Sequence, residues 1–100
     1  MARLDRAGIA QSLSEHLKAV PDPDGRADLV ADQGLINVAA GSAEIDAAIG
    51  RLKAIDGYRW IAINAGDLFV ANPKSIGTKV GILDPAGKVL KAADLKRPRP

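Results

Sequence analysis

Residues 35 to 65 read LINVAAGSAEIDAAIGRLKAIDGYRWIAINA, and the fold turns on how this stretch divides. Its middle carries Ile45, Ala48, Ile49, Leu52 and Ile55 at spacings of three, one, three and three, the repeat of a helix with one apolar stripe. Ser42 is placed to cap that helix, with Glu44 and Asp46 in the first turn, where the positive end of the helix dipole favours acids. Gly57 stands where a left-handed C-terminal cap is expected. The flanks differ in kind. Residues 35–40 and 58–65 are short apolar runs of strand composition. Strand, tight Gly41-Ser42 turn, helix and strand together make a crossover, right-handed by the chirality of such units.

Working toward the N-terminus, Leu4, Ile9, Leu13, Leu17 and Val20 recur mostly three or four apart, so residues 3–20 read as an amphipathic helix ended by Pro21. Residues 26–34 admit two readings. Asp24 caps a short helix ending at Gly34, the reading favoured here, or residues 28–31 form a strand that turns at Gln33-Gly34. Toward the C-terminus, residues 68–72 look like a strand paired back through Gly66-Asp67. Residues 80–83 and 89–92 flank the turn Asp84-Pro85-Ala86-Gly87-Lys88 and predict a second hairpin. The expected class is α+β: two main helices, plus the short one over 26–34, on one face of a mainly antiparallel sheet of about five strands. Residues 1–94 form one compact domain in this reading, followed by a basic Pro/Arg tail over 95–100.

Composition supports a globular chain with an aliphatic core, since it is 47% hydrophobic and 26% charged but only 3% aromatic. No run approaches the roughly 18 consecutive apolar residues of a spanning helix, which argues against a membrane protein. Nothing at the N-terminus reads as a secretory signal, and cytoplasmic residence, free or inside a particle assembled there, is the expectation. The chain has no cysteine, so thiolate chemistry and disulfides are excluded.

Catalytic and cofactor motifs are missing from the sequence. His16 is the sole imidazole and reads as a surface residue of the first helix. Asp22, Asp24, Asp28 and Asp32 lack the spacing of a calcium loop and suit turn capping. No Gly-X-Gly occurs, and Gly87-Lys88 is followed by Val89 where a phosphate loop needs Ser or Thr. Ser75, Thr78 and Lys79 match no nucleophile pattern, and Glu44 and Asp46, two apart on a helix, do not face each other. The expectation is a non-enzymatic chain with no cofactor and no metal.

Charge is the remaining signal. Residues 1–73 carry seven Lys and Arg against ten Asp and Glu, whereas residues 74–100 carry seven against two, so the formal +2 divides into −3 and +5. Such asymmetry marks a partner surface. Lys91, Leu95, Lys96, Arg97 and Arg99 are the partner-binding candidates. The first expectation is an assembly or protein-interaction module, a homo-oligomer or a subunit of a larger particle such as a virion, whose C-terminal tail clasps a neighbour. The alternative is a nucleic-acid-binding accessory protein that uses the basic quarter with Arg59 and Trp60, although Trp60 on an apolar strand suits the core better.

Overall fold

A computed structural model describes residues 3–94. Helix α1 (Arg6–Leu17) leads into strands β1 (Val20–Pro21), β2 (Leu29–Ala31) and β3 (Gly34–Val38). Then follow α2 (Ser42–Leu52), β4 (Arg59–Ala62), a 3-10 turn (Ala65–Asp67), α3 (Leu68–Ser75), β5 (Gly81–Leu83) and β6 (Val89–Lys91). The strands lie in one six-stranded sheet in chain order. β3, β4 and β5 are parallel, and antiparallel pairs extend both sides. The protein is therefore α+β with three helices and a mixed sheet, broader than the five mainly antiparallel strands expected.

The β3–α2–β4 crossover stands as read: Leu35 lies opposite Arg59 and Val38 opposite Ala62 in a parallel ladder. Strands buried on both sides read as continuous apolar runs, and every residue of β4 and β5 is buried. Alternation then sorts them. Leu35, Ile61, Ile63 and Ile82 pack with Ile45, Ile49 and Leu52 of α2 and Ala71 of α3. Ile36, Val38, Trp60, Ala62 and Leu83 pack with Ile9 and Leu13 of α1. Helices thus cover both faces, not one, because α1 precedes the sheet while the two crossovers share a hand and so a side.

Three local expectations fail for identifiable reasons. Residues 26–34 hold β2 and a hairpin, not a short helix: Ala31 pairs with Gly34 across the tight turn Asp32-Gln33. Gly34 sits at φ 131°, where a Cβ would come 2.2 Å from the Tyr58 carbonyl oxygen, so its role is close strand approach rather than helix termination. Asp22, not Asp24, organises the preceding turn by accepting from the backbone N–H groups of Asp24, Arg26 and Ala27. Burial pushes the Asp22 carboxyl up, but those three bonds and the Arg26 charge together outweigh it and hold its pKa below the ordinary value.

Residues 68–72 are helical and belong to α3, so β4 returns to β5 by a second crossover instead of a hairpin. The helix carries Pro73 in its last turns, which costs an intrahelical bond. At α2, Gly41 rather than Ser42 is the N-cap. The turn is satisfied from elsewhere: Glu44 Oε1 accepts from the Ala40 N–H. The hairpin β5–β6 forms as expected, with Asp84 Oδ1 accepting from the N–H groups of Ala86 and Lys88. No helix among the described residues is long and apolar enough to cross a membrane.

Candidate functional site

In sheets with parallel strands, ligands and partners gather at the carboxyl ends, where loops diverge. Here β4 ends at Ala62, two residues before Asn64, and β5 ends at Leu83, next to Asp84. Asn64 binds the N-terminal segment in both directions: its Oδ1 accepts from the Leu4 N–H (3.0 Å) and its Nδ2 donates to the Leu4 carbonyl (2.9 Å). Arg3 forks onto Asp67 with two 2.8 Å bonds. The Arg3 bond and charge hold the Asp67 carboxyl below the ordinary aspartate value, helped by a backbone bond from Gly41. A side-chain carboxylate thereby sits at the turn ahead of α2, a helix N-terminus that favours negative charge.

Between this strap and the β5–β6 turn lies a cleft of about 570 Å³, whose apolar wall is Leu4, Ala65, Pro85 and Ala86. Arg3, Ser12, Asn64 and Asp84 also line it, and each carries a bond within the chain; Ser12 Oγ donates to the Pro85 carbonyl. With those bonds made, what the cleft offers is chiefly apolar contact. A neighbouring hollow of about 310 Å³ lies beside Arg6, Ala10, Asp28 and Val38. There Asp28 takes Arg6 (3.4 Å) and Arg51 (3.3 Å) and accepts from the Val38 N–H, while Arg6 also reaches Glu44 at 3.6 Å. Two cations meet two anions, so the group braces α1, β2 and α2 together without an excess charge to attract a ligand.

The surface next to the cleft is the exception. Phe69 is 91% exposed and Ile76 is 68% exposed, with Pro73 between them also in solvent. Positions 69 and 73 fall on one side of α3, and Ile76 is its C-cap residue, just past the last helical position. Gly66, on the cleft wall, lies in the 3-10 turn three residues before Phe69 in sequence. The inward side of α3 holds Ala71 and Ser75, both fully buried.

The candidates read from the sequence are distributed differently. Lys91 lies on β6 and points inward: its Nζ donates to Ser75 Oγ at 2.7 Å, near the negative end of α3. Leu95, Lys96, Arg97 and Arg99 lie outside the described residues. Lys74 is on α3, paired with Asp46 at 2.8 Å, and Lys79 precedes β5 with Asp94 at 4.0 Å. His16 is exposed, with Nδ1 2.8 Å from the Ser12 carbonyl oxygen. Trp60 is 7% exposed, and its indole N–H donates to the Gln33 carbonyl.

Arg59 is fully buried and satisfied by backbone: Nε donates to the Gly57 carbonyl, Nη1 to Leu52 and Nη2 to Thr78, at 3.0 to 3.1 Å. The signal for this was legible, since period two places residue 59 with Ile61 and Ile63 on the face covered by α2 and α3. The stripe had a signal too, the helical spacing of 69 and 73. No group of three or more acidic or imidazole side chains among the described residues is arranged to hold a metal ion. No family model matches the chain, and neither a curated protein nor a solved structure shows significant similarity to it.

Proposed function

We propose that this chain is a non-catalytic protein-interaction module that docks through the outer side of α3 and the adjoining cleft. The carrying observation is Phe69, 91% exposed, with Ile76 exposed just past the helix end. Single exposed apolar residues are ordinary, but a contiguous stripe marks an interaction surface. Burying one such side chain against a partner returns roughly 1.5 to 3 kcal/mol. Sheet augmentation is less well served, because edge strand β1 has two residues including Pro21 and β6 is short and irregular in register against β5. The internal pairing of the polar groups around the cleft supports binding over catalysis. The basic segment with Leu95, Lys96, Arg97 and Arg99 extends the reading as an arm toward a neighbour, in an assembly or larger particle.

A nucleic-acid role draws less support, since Trp60 and Arg59, the stacking and charge candidates, are both buried. The test is affinity capture from the native source with three baits: the full chain, a Phe69→Ala/Ile76→Ala variant and a truncation after Asp94. Proteins held by the first bait and lost from the second are expected. Identical captures by all three would dismiss the reading. Binding that only truncation abolishes, with a slope of about −2.7 in log affinity against log salt on duplex DNA, would put nucleic acid in its place.

A further inference from the structure

We infer that Asn64, Asp67 and the cleft beside them form a peptide site for an extended segment of a partner protein, arginine followed by apolar residues, and that Arg3 and Leu4 occupy it in cis. The inference rests on the reading of the cleft as a docking surface and names what docks there. The contacts of Arg3 and Leu4 define what the site reads. Two parallel 2.8 Å bonds fork the guanidinium onto Asp67, a geometry that lysine does not reproduce. The Asn64 amide spans the N–H and the carbonyl of one residue, Leu4, as a neighbouring antiparallel strand would. That residue must have a free N–H, which excludes proline. The basic tail does not qualify, since Arg97 and Arg99 are each followed by proline.

The two halves of the contact are built unequally. On the receiving side Asn64 is buried and the Asp67 side chain is 13% exposed. The 3-10 turn holds both, with the Asp67 N–H donating to the Asn64 carbonyl and the Gly41 N–H bonding the Asp67 carboxylate. On the occupying side the Arg3 side chain is 57% exposed. Arg3 and Leu4 lie outside α1, whose cap is Asp5, accepting from the Gly8 N–H. A fixed, inward amide and carboxylate thus hold an exposed dipeptide, the form of a site with its ligand in place. The cis occupant covers only part of it. At Asp5 the chain turns into α1, whereas the cleft of about 570 Å³ extends past Leu4 along Ala65, Pro85 and Ala86. A separate peptide that stays extended advances about 3.3 Å per residue and lays its next apolar side chain on that wall. Exchange of one arginine for another conserves every polar bond, so the added apolar contact favours the incoming chain.

The test uses the full chain carrying Arg3→Ala/Leu4→Pro, which frees Asp67 and removes the N–H that Asn64 accepts; circular dichroism checks that it is folded. The probe is the blocked tripeptide acetyl-Arg-Leu-Phe-amide, titrated into nitrogen-labelled protein and followed by nuclear magnetic resonance. Shifts are expected at the Asn64 side-chain amide and the Gly41 N–H. Wild type should bind at least about tenfold more weakly, because its own strap competes at millimolar effective concentration. Citrulline in place of the arginine keeps the shape and loses the charge, and should weaken binding at least about tenfold. Proline in place of the leucine should do likewise, as should Asp67→Asn added to the variant. No binding at millimolar peptide, equal binding of the citrulline peptide, or shifts confined to other surfaces would overturn the peptide site. Those failures with Phe69-dependent capture intact would leave the docking surface standing. Arginine-dependent binding beside identical captures by all three baits would support the site and dismiss α3.

Discussion

Helices α2 and α3 lie side by side on the same face of the sheet and treat that face in opposite ways. α2 buries Ile45, Ala48, Ile49 and Leu52 and turns Glu44, Asp46 and Arg51 outward, the division expected of a helix whose single task is to cover a core. α3 buries Ala71 and the polar Ser75 and leaves Phe69 and Pro73 in water, with Ile76 exposed just past its end. Small inward residues let its backbone approach the sheet closely, so α3 joins the core at little apolar gain. Leu68 packs partly buried against the core, but Phe69 and Val70 face out. One helix is explained by the fold alone; the other has a surface that the fold of a single copy leaves unused.

The largest effect should come from the residue that joins the two. Arg59 bonds the last carbonyl of α2, at Leu52, and the Thr78 carbonyl just past α3, from a fully buried position. Arg59→Ala removes all three of its bonds and strands those acceptors, each at a cost of about 1 to 3 kcal/mol. A loss of about 3 to 5 kcal/mol in urea unfolding is expected. A loss below 1 kcal/mol would mean that water reaches these carbonyls and that the helix ends are not tied together.

Next comes the α2 core. Ile49→Ala should cost about 2 to 5 kcal/mol, because Ile49 is 4% exposed and the pocket is walled by strands that cannot collapse into it. A loss under 0.5 kcal/mol would place the stripe of α2 at the surface and erase its contrast with α3.

Such a stripe is the kind of feature a sequence displays openly. In α2 the large apolar side chains Ile45, Ile49 and Leu52 point one way, so periodicity and charge bias agree, although the helix ends at Leu52 with Lys53 as C-cap and does not run on to Gly57; the β5–β6 turn was legible for a similar reason, since Asp84, Pro85 and Gly87 each do a local job. α3 was read as a strand because its apolar residues fall on both sides of the helix and Pro73 sits near its end. The information that makes it a helix is the parallel pairing of β4 with β5, which no local window contains. Residues 26–34 failed likewise. The turn Asp32-Gln33 lacks the Asn-Gly type of signal, and the Gly34 that follows it packs against the backbone of Tyr58, just ahead of β4 and far along the chain. The candidate site was hidden still deeper, since Arg3 and Asp67 are 64 positions apart and Leu4 and Asn64 are 60 apart.

The Arg3 and Asp67 pair yields a smaller, pH-resolved effect. Asp67 stands at the start of α3 and also receives the Gly41 N–H ahead of α2, so it links the N-terminal ends of the same two helices. Its folded pKa lies below the ordinary value of about 3.9, and the unfolded state therefore binds more protons through that window. The contribution is complete above about pH 5 and is lost as pH falls through the depressed folded pKa. Asp67→Asn should be less stable than wild type at pH 7, and the two unfolding curves should converge in acid. A constant difference at every pH would show that Asp67 acts through packing and not through its charge.

The smallest effect on stability belongs to the residue given the largest role. Phe69 touches water over nearly all its surface, so removing its ring deletes almost no intramolecular contact. Phe69→Ala, measured by denaturant at protein concentrations low enough to keep the chain monomeric, should change stability by less than about 0.5 kcal/mol. The direction carries information too. Alanine is the better helix former by a few tenths of a kcal/mol, and a small gain fits a ring that does nothing for the monomer. A loss of about 2 kcal/mol or more in the dilute monomer would place the ring in the core. In that event α3 would be a second α2, turned by about half a revolution from the arrangement described, and the argument from an unused face would fall with it.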